Sequence, residues 1–294
     1  MTRSAAVALM VAAPVLWSTA GVVTRHLERT PPFEQVFWRS LFAFAFVFGV
    51  LLFQRAHPWK AVRSAGVPGL ISGLMWALMF TAFLFALSLT TTANALVVMA
   101  VSPLLTAVFA FLFLKDPLPA RTWFAAGAAA AGIAWMFASQ VEGGHLLGMA
   151  IAFLIPVAAA INVVVLRASA ARFDLIPALL LGGALSCAIA LPFALPFSAT
   201  PRDLLLLAFL GFFQLALPCM FLVVASRTLL APEIALLGQL EVVLGPLWVW
   251  LVVGEEPGRG TLIGGAVVLA ALAANELAAT RSTMASKVSP TRVG

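Results

Sequence analysis

Ten apolar segments, each close to the length that crosses a bilayer, follow one another along this chain with only short polar punctuation between them. Lipid offers backbone N–H and C=O groups no hydrogen-bond partner, so a spanning segment must be a helix or a strand of a closed barrel. Long apolar runs without two-residue alternation select helices. The expected fold is therefore an all-α membrane protein of ten transmembrane helices. They are placed at 4 to 26, 33 to 54, 65 to 88, 92 to 114, 120 to 139, 146 to 167, 174 to 197, 201 to 226, 232 to 253 and 258 to 279.

Turn chemistry separates them: Thr30-Pro31-Pro32, His57-Pro58, Asp116-Pro117-Leu118-Pro119, Gly143-Gly144, Thr200-Pro201, Ala231-Pro232 and Glu256-Pro257-Gly258. The composition leaves little else for the chain to be. Of 294 residues, 63% are hydrophobic and 10% charged, against roughly 45–50% and about 25% in soluble domains. Ten spans of about 20 residues leave room only for short connections and a tail. A net charge of +6 does not point to nucleic acid, because the basic residues are scattered over loops without interleaved aromatics. Cys187 and Cys219 fall inside expected spans, where reduced packed thiols are expected. The first apolar run lacks a small-residue cleavage site and reads as a retained helix.

Basic residues set the orientation. Arg3, Arg55, Lys60, Arg63, Lys115, Arg121, Arg167, Arg172, Arg227, Arg281, Lys287 and Arg292 gather on one side, and only Arg25, Arg29, Arg202 and Arg259 on the other. The excess places both termini in the cytoplasm. The two halves are similar: a shift of 142 positions lays Pro14 on Pro156 and Arg25 on Arg167. A shift of 139 lays Ala93-Asn94-Ala95 on Pro232-Glu233-Ile234 and Asp116 on Glu255. Five is odd, so the second copy must run opposite to the first, which makes residues 1–140 and 141–280 two inverted five-helix repeats. The polar stretch 281–294 is expected to be a disordered cytoplasmic tail.

The chain resembles the EamA-type branch of the drug/metabolite transporter superfamily, and within it the YddG-like amino-acid exporters, over residues of about 5 to 280. The likeness is carried by Trp17, by Phe37-Trp38-Arg39-Ser40-Leu41, and by Ser102-Pro103-Leu104-Leu105 leading to Leu114-Lys115-Asp116. In the second half it is carried by Leu240-Glu241-Val242-Val243-Leu244-Gly245-Pro246-Leu247-Trp248 leading to Gly254-Glu255. Asp116 stands where the family usually has Glu, and Val242 where a Pro is common. The resemblance implies a ten-helix carrier of the bacterial inner membrane that exports small metabolites, aromatic or apolar amino acids foremost, by alternating access. Another metabolite or a cationic drug is the alternative within the superfamily, and a channel or membrane sensor the alternative outside it. No cofactor or metal is expected, the partners being a small-molecule substrate and membrane lipid, with the protein a monomer or homodimer. No phosphate-cradling G-x-x-x-x-G-K-[ST] loop occurs, so transport is passive or ion-coupled.

Glu241 stands out first among candidate substrate-binding residues. About nine positions into its helix it lies roughly 13 Å deep, where an ionisable group is costly. Three roles fit it: binding a substrate ammonium, carrying the coupling proton, or locking helix packing. Arg39 begins roughly 9 Å below the outer surface, close enough to snorkel, and either anchors and ion-pairs or binds a substrate carboxylate. Glu34, nearer the boundary, reads as solvated. Trp17, Trp76 and Phe80 lie on helices that line the central cavity in the family the chain resembles. Trp76 and Phe80 share a face, and all three serve either as flat walls for an apolar side chain or ammonium or as packing. Trp38, Trp59, Trp123, Trp248 and Trp250 look like interface-belt members. Asn94, Asn162, Gln214 and Gln239, with Ser18, Thr19, Thr81 and Ser102, are inward-facing polar candidates. Helices 5 and 10, rich in Gly and Ala, read as scaffold, with a dimer face as a second use.

Overall fold

The computed structural model describes residues 2–54, 57–115, 120–139, 145–169, 175–225, 228–229, 237–238 and 240–288. Among them the chain is all-helical, without a strand. Seven helical stretches are long and apolar enough to cross a membrane: Arg3–Arg25, Pro32–Phe53, Gly66–Leu89, Thr92–Phe113, Leu146–Leu166, Ile176–Ala194 and Pro201–Ala225. The three other expected segments carry shorter apolar helices, Trp123–Trp135, Leu240–Val253 and Arg259–Ala271.

The first stretch is broken into α1 (Arg3–Trp17) and α2 (Ala20–Arg25). At the break the Thr19 N–H turns from the Val15 carbonyl to that of Leu16. The Ser18 hydroxyl donates to the Val15 carbonyl at 2.8 Å, and the Thr19 hydroxyl to that of Leu16 at 2.7 Å. In a bilayer an orphaned carbonyl costs several kcal/mol, so the Ser18 hydroxyl, which takes the place of the Thr19 N–H on the Val15 carbonyl, is what makes an interrupted helix tolerable there. Next come α3 (Pro32–Phe53), a short α4 (Pro58–Ser64) within an expected connection, and α5 (Gly66–Leu89). The fourth stretch is broken too, into α6 (Thr92–Met99) and α7 (Ser102–Phe109), ending in a π-helical turn at Ala110–Leu114. Then follow α8 (Ala120–Ser139), α9 (Leu146–Ser169) and α10 (Ile176–Ala194). Between α11 (Pro201–Phe209) and α12 (Leu217–Ala225) the turn widens to a π-helical stretch, Leu210–Ala216. Pro218, just beyond it, has no N–H to offer the Gln214 carbonyl four residues back. Last come α13 (Leu240–Val253) and α14 (Arg259–Val288). The last helix, α14, runs on to Val288; residues 281–288 contain no helix breaker, the first being Pro290.

The packed centre is built from α3, α5, α9 and α10, with α8 laid against α14 and α1 against α12. Small residues set the approach of these helices. A Cβ on Gly132 would sit 2.9 Å from the Gly264 carbonyl oxygen, so α8 and α14 touch backbone to backbone, as their Gly/Ala faces lead one to expect. Between α3, α5 and α10 the Ser186 hydroxyl joins those of Ser40 at 2.9 Å and Thr81 at 3.0 Å. Outside, Phe53, Phe124, Leu205, Val67 and Phe113 stand largely exposed, a surface suited to lipid.

The π-helical stretch presses on α3 through Gly211, where a Cβ would meet the Phe42 Cβ at 2.4 Å, the Arg39 carbonyl oxygen at 2.7 Å and the Ala43 nitrogen at 3.0 Å. Two of these neighbours are backbone and cannot turn aside. Gly211→Ala is expected to cost about 1–3 kcal/mol by overpacking, read as a lower thermal midpoint in detergent; an unchanged midpoint would refute this close approach.

Candidate functional site

Residues from both halves converge on Arg39, at the eighth position of α3. It is 1% exposed, so the snorkelling expected of it does not occur: its guanidinium lies in the protein interior. One Nη2–H donates to the Phe80 carbonyl on α5, and the guanidinium carbon stands 5.7 Å from the centre of the Phe83 ring. Nε and Nη1 are buried without a partner, and no carboxylate pairs with Arg39 among the described residues.

Gln214, Trp17, Cys219 and Glu241 are linked to this cation through shared partners. Gln214, on the π-helical stretch, donates from Nε2 to the Trp17 carbonyl at 3.3 Å, where α1 breaks off. A carbonyl accepts only, which fixes the amide so that its Oε1 is buried and unpartnered. The Trp17 side chain hydrogen-bonds Cys219, and Cys219 lies within electrostatic reach of both Arg39 and Glu241. Glu241, in the first turn of α13, is half-buried and accepts no hydrogen bond among the described residues. Residues 230–236, on which the expected depth of Glu241 rests, lie outside the described residues, as do Gln239 and Asp116. Cys219 and Phe83 were missed as site members; neither carries a signal that singles it out among apolar neighbours.

Other candidates stand elsewhere. Asn94 is engaged at both ends: Nδ2 donates to the Thr90 hydroxyl at 3.1 Å and Oδ1 accepts from the Thr261 hydroxyl. Trp76 is buried where α5 meets α10, its Cβ against Gly182, and its ring stands 5.5 Å from that of Phe80. Asn162 is buried on α9 with its Oδ1 unpartnered. Trp38 donates to Glu34 at 3.2 Å and Trp248 to the Ser18 hydroxyl at 3.2 Å. Two grooves, both apolar, lie apart from this cluster: one of about 400 Å³ between α7, α8 and α9, and one of about 360 Å³ beside Phe46 and Phe212.

The connections 26–32, 90–91, 195–200 and 254–258 are tied together across the halves. Glu34 is corrected from solvated to fully buried: it accepts from the Ser198 and Ala199 N–H groups at 3.0 and 2.9 Å and from the Ser198 hydroxyl at 2.9 Å. Asp203 closes a capping box with Thr200 and also reaches the Glu28 N–H at 3.0 Å and the Thr30 hydroxyl at 2.9 Å. Arg25 pairs with Glu255 at 2.9 Å and donates to the Leu87 and Thr90 carbonyls, while Glu255 accepts from the Thr92 N–H. No group of three or more His, Cys, Asp and Glu side chains able to hold a metal occurs among the described residues.

Comparison with known proteins adds the family. No curated protein matches. A solved crystal structure is similar over 95% of this chain and 99% of its own, with a TM-score of 0.66 and 22% identity, a likeness that shows the fold. The model of the EamA-like transporter family matches twice, at residues 4–138 and again at 146–275. Apolar helices of spanning length and this double match over nearly the whole chain make it an integral membrane protein that belongs to the EamA-like transporter family.

Proposed function

We propose that the protein is a secondary transporter that exports small metabolites, aromatic or apolar amino acids foremost, across the bacterial inner membrane by alternating access. Its two halves are inverted five-helix repeats with both termini in the cytoplasm. One observation carries this reading: a buried cation and a half-buried acid lie within the predominantly apolar helix bundle, with aromatic rings beside the cation and contributions from both halves. A membrane protein keeps such groups where a solute passes. The double family match supports duplication, and the charge asymmetry supports the orientation.

The ties through Arg25, Glu34, Asp203 and Glu255 hold the halves together at the end that the charge count places outside. Their release opens the site outward, and tightening them returns it to the cytoplasm. Counterflow tests the reading: vesicles preloaded with an unlabelled amino acid should accelerate uptake of the labelled one several-fold over empty vesicles. Acceleration by nucleotide sugars or cationic drugs alone would move the substrate elsewhere in the superfamily. Uptake without acceleration would indicate a channel, and no uptake a sensor.

A further inference from the structure

Inside the cluster, buried donors without acceptors occur together with a buried acceptor without a donor. Arg39 has five N–H groups, of which the Phe80 carbonyl takes one; Nε and Nη1 are buried and unpartnered. A guanidinium presents two edges, Nε with Nη2 and Nη1 with Nη2, and one bond to Nη2 leaves one of these two-donor edges whole. A buried, unpaired guanidinium is expensive, since neither water nor a counter-charge repays its lost hydration. Phe83 offers it only a ring face at 5.7 Å. Across the cluster, Gln214 Oε1 is a buried acceptor without a donor, and Glu241 is an acid without a hydrogen-bond partner among the described residues. Cys219 lies in electrostatic reach of both Arg39 and Glu241. One molecule answers both needs when it carries a planar anion at one end and an N–H cation close by.

We propose that Arg39 is the carboxylate receptor of the transport site, and that Glu241 with Gln214 Oε1 receives the ammonium of the same zwitterion. The assignment rests on the amino-acid reading above and sharpens it. A free α-amino acid fits, whereas a simple amine leaves Arg39 unpaired and a simple acid leaves Glu241 and Gln214 unanswered. Cationic drugs without a carboxylate are therefore poor substrates.

The test is phenylalanine counterflow in vesicles containing the purified protein, competed with phenethylamine, which lacks the carboxylate, and with 3-phenylpropionate, which lacks the ammonium. Wild type should be inhibited at least tenfold more strongly by phenylalanine than by either analogue. Arg39→Gln should bring phenylalanine and phenethylamine to within about threefold of each other, and Glu241→Gln should do so for phenylalanine and 3-phenylpropionate. Should Arg39→Gln not fold, Arg39→Lys keeps the charge but not the two-donor edge and should still lose most of the preference over phenethylamine. A wild type that carries no phenylalanine overturns the reading of the preceding section. A wild type that carries it while both Arg39 variants keep the full preference overturns only the assignment of Arg39.

Discussion

Glu241→Gln is expected to lower counterflow tenfold or more at every pH between about 5 and 8 while leaving the thermal midpoint nearly unchanged. The two halves of this expectation have separate grounds. Glu241 is half-buried and accepts no hydrogen bond among the described residues, so the folded state loses little when the acid becomes an amide of the same shape. Function loses more, because an ammonium ligand and a proton carrier both need an ionisable oxygen pair there. Uptake in reconstituted vesicles and unfolding in detergent, on the same preparation, check both parts. Flux within twofold of wild type would remove Glu241 from the site. A midpoint that falls together with flux would return it to a packing role.

The opposite pattern is expected of Glu34→Ala and Asp203→Ala, each of which should cost about 2–4 kcal/mol in stability. Each carboxylate is 0% exposed and accepts at least four hydrogen bonds, several from backbone N–H groups of a connection far away in the chain. Bonds to a charged acceptor contribute about 1.5–3 kcal/mol each, and water that reaches the connections offsets part of the loss. Arg202→Gln provides the contrast: its partner Glu28 and Arg202 itself are largely exposed, a kind of pair that contributes roughly 0–1 kcal/mol. Thermal midpoints of the three variants in detergent test the ranking. Equal midpoints would show that Glu34 and Asp203 do not fasten the halves.

Where sequence and structure part, long-range contact explains the difference. Glu34 sits two residues from Pro32 and by position alone belongs to a solvated boundary, yet its partners are 164 and 165 residues away. Arg39 reads as a snorkelling residue because its depth is countable and its surroundings are not. Asn94 reads as an inward-facing amide, and its partner Thr261 lies 167 residues on. The capping box at Thr200 and Asp203 is a local signal and was there to be read, but not its second use in holding residues 28 to 30.

The order and length of the apolar stretches, their helical state, and the membrane as their solvent follow from sequence alone, because unpaired backbone groups are so unfavourable in lipid that local composition decides the matter. So does the close contact of α8 with α14, which small side chains permit wherever two such faces meet. Which polar groups are satisfied and which are left open was decided by tertiary structure. A hydrogen bond needs its partner within about 3 Å, and in this chain, Trp38 on Glu34 and Thr200 on Asp203 apart, the partners of Glu34, Asp203, Arg25 and Gln214 lie more than 60 residues away, where no local pattern can specify them.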